Sequence, residues 1–214
     1  MWRIVPIALT APLIFMLQAS VTFLTDFADQ GVVLPVALAI AVALMLLGWR
    51  RGMGAWLTGV LGTLGVMLVL KLLFGACGHV VPDLDIQSPS GHTAAAAVTY
   101  GGIFALLGAS SGLTLAISAA AAVAFGISRV VLGFHTPPEV VVGALVGLSG
   151  AALIARLAGR PPPVKQGRTR LLAAFLVVLL LFHGAHVHAE TSIGRFARLL
   201  ELWPLSACRA VPAA

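Results

Sequence analysis

Six side chains and one glycine at the borders of apolar segments carry the chemistry of this sequence. Lys71 closes one apolar run. Ser90, Gly91 and His92 stand in SPSGHTAAAA, at the mouth of the next. Arg129, His135 and Glu139 lie in SRVVLGFHTPPE, where one apolar run ends and another begins. Phosphate oxygens need fixed cations and N–H donors, and Lys71, Arg129 and the backbone at a helix start can supply both. An imidazole can attack phosphorus, and a carboxylate on its far nitrogen would hold the tautomer and stabilise the positive charge that builds up. A second imidazole can protonate the leaving oxygen. The residue types together suggest phosphoryl transfer without a metal. Each also has a plainer role. Ser90 suits an N-cap. Thr136 and Glu139 form a Thr-x-x-Glu capping box on a helix opened by Pro137 and Pro138. Lys71 suits an interfacial anchor.

The elements that position these groups are membrane helices. The chain has 214 residues, 60% hydrophobic and 9% charged, with mean hydropathy +1.06. That polar surface cannot cover a water-soluble globule, so the bilayer is the solvent for most of the chain. The net charge of +6 does not indicate nucleic acid, because the basic residues are spread over helix ends and not gathered on one face. Met1 to Thr25 carries one basic residue, Arg3, and an apolar run longer than a signal core, so it reads as a span and not a cleaved leader.

Seven apolar segments follow one another: Ile4–Thr25, Val32–Leu47, Gly52–Leu70, Thr93–Leu107, Leu113–Ser128, Val140–Ala155 and Leu171–Val187. Each is near the ~20 residues that cross the hydrocarbon, and none alternates with period two, so helices and not barrel strands are expected. The expectation is all-α: an integral membrane helical bundle with a six-helix core (1–158), a polar proline-rich linker (159–170), and a seventh span with an interfacial C-terminal helix (171–214). In that last helix Ile193, Phe196, Leu199, Leu200 and Trp203 share one side. Arg3, Arg50, Arg51, Arg156, Arg160, Lys165, Arg168 and Arg170 are eight of the thirteen basic residues and fall on one side, expected to be cytoplasmic. Lys71 and Arg129 fall on the other side, with Ser90 and His92.

These residues resemble the signature of the type 2 phosphatidic acid phosphatase superfamily: Lys-x6-Arg-Pro, then Pro-Ser-Gly-His, then Ser-Arg-x5-His-x3-Asp. Five residues separate Arg129 from His135 and three separate His135 from Glu139, as in that pattern. The resemblance covers roughly residues 20 to 158, LTDFADQGVVLP included. It implies His135 as nucleophile, Glu139 in place of the family's Asp as its orienting partner, and His92 as general acid. Lys71, Ser90, Gly91 and Arg129 would cradle the phosphoryl group. No cofactor or metal is implied. The partners implied are the bilayer and a lipid phosphate substrate, at the outer leaflet of a bacterial inner membrane. Two departures stand out. Glu139 is one methylene longer than Asp. Seven residues after Lys71 the family has Arg-Pro, and this chain has Gly78-His79, where His79 offers an auxiliary imidazole but no bidentate fork. Three readings follow: a lipid phosphate phosphatase, a lipid phosphotransferase, and a lipid-binding relative that keeps the pocket without turnover.

Two further features lie outside the signature. Cys77 and Cys208 face the same side if the seventh segment spans, where an oxidising compartment would let them pair. His183, His186 and His188, with Glu190, have spacings that do not put all three rings on one helical face, which argues against a metal site.

Overall fold

The structure is a computed structural model that describes residues 7–77, 86–159, 165–187, 193 and 195–196. Seven helices are found among them: α1 (Ile7–Asp26), α2 (Gln30–Leu46), α3 (Arg50–Cys77), α4 (Gly91–Leu106), α5 (Ser111–Val131), α6 (Pro137–Ala158) and α7 (Lys165–Leu181). Helix is the form in which an apolar segment satisfies its own backbone hydrogen bonds away from water. Side-chain caps mark several starts. The Asp29 carboxylate accepts the Gly31 N–H (2.8 Å), and Ser110 Oγ accepts the Leu113 N–H (3.3 Å).

Small residues set how closely the helices approach. Ala94, Ala95, Ala96 and Ala97 of α4 are fully buried, and α4 packs on α3, α5 and α6. A Cβ added at Gly147 of α6 would lie 2.6 Å from the Ala97 Cβ and 3.0 Å from the Ala94 Cα. Glycine therefore lets the two backbones touch, the close packing that holds helices together where lipid supplies no hydrophobic drive. On the other flank Val36 and Ile40 of α2 meet Trp56 of α3, Ile154 of α6 and Phe175 of α7 in one buried cluster. Trp56 Nε1–H donates to the Ala37 carbonyl (2.9 Å), so the buried indole is satisfied. Large apolar side chains point outward as well: Leu38 is 66% exposed and Leu180 67%. In water such a surface would be costly; in lipid it is the outer face of the bundle.

The protein is thus an all-helical membrane bundle. Each of the seven expected apolar segments coincides with a helix, and among the described residues four stretches are long and apolar enough to cross a membrane: Phe15–Leu46, Arg50–Phe74, Ser111–Val131 and Pro137–Ala158. The first contains the end of α1 and all of α2, which are separated by a turn at 27–29. α4, with 16 residues, is about 24 Å long at 1.5 Å per residue, short of a ~30 Å hydrocarbon layer. Its neighbours bury it, so it need not match the lipid by itself. α3 also runs beyond its expected end at Leu70, so Lys71 sits inside a helix and not at its tip. The expected linker at 159–170 is corrected: its residues 165–170 form the start of α7, while 160–164 and nearly all of the expected surface-lying helix lie outside the described residues.

Odd-numbered helices end, and even-numbered ones begin, at one end of the bundle. Asp29, Lys71, Ser90, Arg129, His135 and Val187 all gather there. Arg51 is at the opposite end, where its Nε–H donates to the Leu157 carbonyl (2.8 Å).

Filling the α4–α6 contact should loosen the bundle. Gly147→Val is expected to lower stability in detergent by about 1–3 kcal/mol through overpacking. Gly62→Ala, where a Cβ meets nothing within 4 Å, should raise it by about 0.5–1 kcal/mol. Thermal unfolding of the two purified variants checks both signs.

Candidate active site

Glu139 is the junction of this end of the bundle. It occupies the third position of α6, behind Thr136, Pro137 and Pro138. Its Oε2 accepts the Thr136 N–H (3.1 Å) and lies 2.9 Å from His135 Nδ1. The Thr136 N–H of the helix start and the His135 ring thus meet the same oxygen. Its Oε1 accepts the backbone N–H groups of Gln87 (2.8 Å) and Ser88. Its carbonyl accepts the Ser90 N–H (3.0 Å). An ionised carboxylate only accepts, so it selects the His135 form with a proton on Nδ1, and Nε2 is the nitrogen directed away from Glu139. His135 and Glu139 are 8% and 4% exposed. The extra methylene of Glu relative to Asp keeps the histidine contact at hydrogen-bond length and reaches the 87–88 backbone as well.

The cations are tied to the same junction. Lys71 Nζ donates to Ser88 Oγ (3.1 Å), and its stem lies over Gly91, where a Cβ would be 3.4 Å from Lys71 Cε. After α5 the chain turns through Gly133, whose φ of +71° suits glycine. That turn brings the N–H groups of Phe134 (3.0 Å) and His135 (3.4 Å) onto the Arg129 carbonyl. The Arg129 guanidinium rests on the Phe134 ring, 4.3 Å from its centre. Lys71 and Arg129 are both buried. A bonded path therefore runs from Lys71 through Ser88, Glu139 and His135 to Arg129.

Ser90 N-caps α4. Its Oγ accepts the Thr93 hydroxyl (2.9 Å) and sits 3.5 Å from the Thr93 N–H. The first turn of α4 thus opens toward the site with its N–H groups, an anion-favouring end. His92, in that turn, has Nε2 3.5 Å from Asp29 Oδ2. Asp29 lies in the turn between α1 and α2, where its carboxylate faces His92 and accepts the N–H groups of Gly31 and Val187.

The structure brings together Lys71, Ser90, Gly91, His92, Arg129, His135 and Glu139. Gly78, His79 and Cys208 lie outside the described residues, as does the side chain of Cys77. Ser88 and Asp29 are site residues that motif spacing does not point to. Among the tail histidines, His183 packs on Phe23 and Phe27 with Nε2 on the Phe23 carbonyl (3.0 Å). His186 stands 3.7 Å from Asp29, and His188 and Glu190 are outside the described residues. Among the described residues no group of three or more His, Cys, Asp or Glu side chains is arranged to hold a metal ion.

A family model described as the PAP2 superfamily matches residues 54–162. This chain belongs to the PAP2 superfamily. The matched region runs from α3 through α6 and holds every expected site residue from Lys71 to Glu139, whereas Asp29 and α7 lie beyond it. A Klebsiella pneumoniae protein described as "Uncharacterized 22.5 kDa protein in cps region" is 30% identical over 188 residues, 80% of this chain and 87% of its own. No solved structure matches the chain. At the level of the PAP2 superfamily, the protein is a membrane-associated, phosphatase-like hydrolase.

The PAP2 site geometry makes Glu139 a structural residue as well as a partner of His135. Glu139→Gln presents an N–H2 group where the carboxylate now accepts, and so opposes one of its donors. The expected cost is about 1.5–3 kcal/mol for a buried charge-assisted bond, read as lower unfolding stability in detergent even without substrate. Glu139→Asp should lose less, because it keeps the acceptor.

Proposed function

We propose that this protein hydrolyses a lipid phosphate monoester or diphosphate through a phosphohistidine on His135. The observation that carries the reading is the 2.9 Å contact of His135 Nδ1 with Glu139. It supports Nε2 as the atom that attacks phosphorus while the carboxylate stabilises the developing imidazolium. Lys71, Arg129 and the N–H end of α4 hold the phosphoryl oxygens, and electrostatic stabilisation from these groups replaces a metal ion. His92 gives its proton to the leaving oxygen.

The substrate class is supported by a groove of about 390 Å³. Leu34 of α2 and Leu61, Leu64, Gly65 and Leu68 of α3 line it, and it ends at Lys71 and Gly91. An acyl or prenyl chain in that groove would lie among leucines, with its headgroup at the cations. The outer-leaflet assignment is supported by charge: Arg50, Arg51 and Arg156 begin α3 or close α6 at the end away from the site. In a bacterial inner membrane the site would then face the periplasm.

Phosphate release by the purified protein from a panel of lipid phosphates tests the reading. Wild type should be active with chelator present, and His135→Ala should fall to background. A wild type no faster than His135→Ala on every lipid would leave a lipid-binding protein without turnover. Labelled phosphate recovered on an added alcohol instead of in water would mark a transferase. The groove makes a separate prediction. A Cβ at Gly65 meets nothing within 4 Å, so Gly65→Phe can enter the groove. The KM for a long-chain substrate should rise about tenfold, equivalent to ~1.4 kcal/mol, with a smaller effect on a short-chain one.

A further inference from the structure

The turn between α1 and α2 holds a carboxylate that does more than cap a helix. Asp29 Oδ1 accepts the Gly31 N–H (2.8 Å), which is the cap, and also the Val187 N–H (3.1 Å) from the segment after α7. Its second oxygen is directed at another helix: Oδ2 lies 3.5 Å from His92 Nε2. The Asp29 and His92 side chains are 10% and 14% exposed. Capping needs one oxygen and no half-buried imidazole, so this arrangement requires a second explanation. The segment after α7 closes the other side. The Ala185 carbonyl lies against Gly31, where any Cβ would collide with it.

We infer that Asp29 is the positioning residue of His92, gripping the ring by Nε2 so that Nδ1 serves the leaving oxygen. The inference rests on the phosphatase reading and extends it to a residue outside the matched family region. In the first step the His135 Nε2–P bond forms and the P–O ester bond breaks. The proton on His92 Nδ1 passes to the departing alkoxide, and the lipid leaves as an alcohol. In the second step water attacks phosphorus and gives a proton to His92 Nδ1. The P–N bond breaks, and inorganic phosphate departs with both rings restored. Asp29 moves no proton in either step. It fixes which nitrogen carries the exchangeable one and holds the ring's direction.

Leaving-group dependence separates this role from a structural one. Asn caps helices as well as Asp does, so Asp29→Asn keeps the turn. Its kcat/KM should fall about 100-fold on an alkyl phosphate, whose alkoxide needs a proton, and only a fewfold on p-nitrophenyl phosphate, whose phenolate does not. Asp29→Glu should recover part of the alkyl rate. Equal losses on both substrates, or none on either, would overturn the inference. A second measurement is independent of turnover. The ¹⁵N shifts of the His92 ring, assigned with His92→Gln, should show Nε2 protonated in neutral wild type and a changed pattern in Asp29→Asn. Identical ring shifts in the two proteins would sink the role of Asp29. A wild type inert on both phosphates would instead sink the phosphatase reading, and the ring shifts would still decide for or against Asp29.

Discussion

A single carboxylate, Glu139, holds two separate pieces of chain and an imidazole in one arrangement. It fixes the start of its own helix through Thr136, the segment before α4 through Gln87 and Ser88, and the imidazole of His135. A buried charge is unfavourable unless its oxygens are fully engaged. Here the engagement is what joins α4 to α6 at the site. The Ser90 N–H on the Glu139 carbonyl adds a backbone tie at the same place. Lys71 then reaches the cluster through Ser88, and Arg129 through the backbone of His135. Remove the carboxylate and both cations lose the framework that sets their direction.

That framework depends on helices that approach closely enough for short side chains to meet. The Ser90 carbonyl lies against Gly143, where a Cβ would collide with it, and Gly147 gives the same clearance one turn further along. Bulkier residues would separate α4 from α6, and Glu139 would no longer reach the 87–88 backbone. The small-residue seam is therefore a condition of the chemistry as well as of the fold. The bundle's alternation does the rest, because α3 and α5 end, and α4 and α6 begin, at the end of the bundle that holds Glu139.

Much of the site was legible from local spacing. His135 and Glu139 are four residues apart at a helix start, so they must meet, and Pro137 and Pro138 mark where that helix opens. Ser90 before an alanine run is legible as a cap for the same reason. Asp29 was not, because its partner His92 is 63 residues away and its local role as a cap already accounts for it. Ser88 was missed because its tie to Glu139 is through its backbone N–H, the same in every residue type but proline, and its hydroxyl meets Lys71 from 17 residues away. Helix length was less legible than helix number, which is seven among the described residues. Hydropathy measures transfer to lipid, whereas α4 is buried by protein and can be shorter. The end of α3 was misplaced because a lysine looks like a boundary, although Leu72, Leu73 and Phe74 let the helix continue to Cys77.

Two imidazole–carboxylate pairs at one site raise the question of what keeps their proposed roles apart. Both carboxylates are buried and both meet a ring, so pairing alone cannot assign a nucleophile and an acid. The difference lies in what else each carboxylate serves. Glu139 accepts three backbone N–H groups, at residues 87, 88 and 136, beside its one ring contact. Much of its charge is already stabilised before His135 is considered, and its single ring contact sets the direction of that imidazole. Asp29 Oδ1 takes the two N–H groups at 31 and 187, while Oδ2 faces His92 and, at 3.7 Å, His186. That oxygen faces rings alone and is the better counter-ion for an imidazolium. Environments that push two like groups apart are how one site supplies both a base and an acid. On this argument the segment after α7 belongs to the proposed site, because its Val187 N–H closes the carboxylate that faces His92.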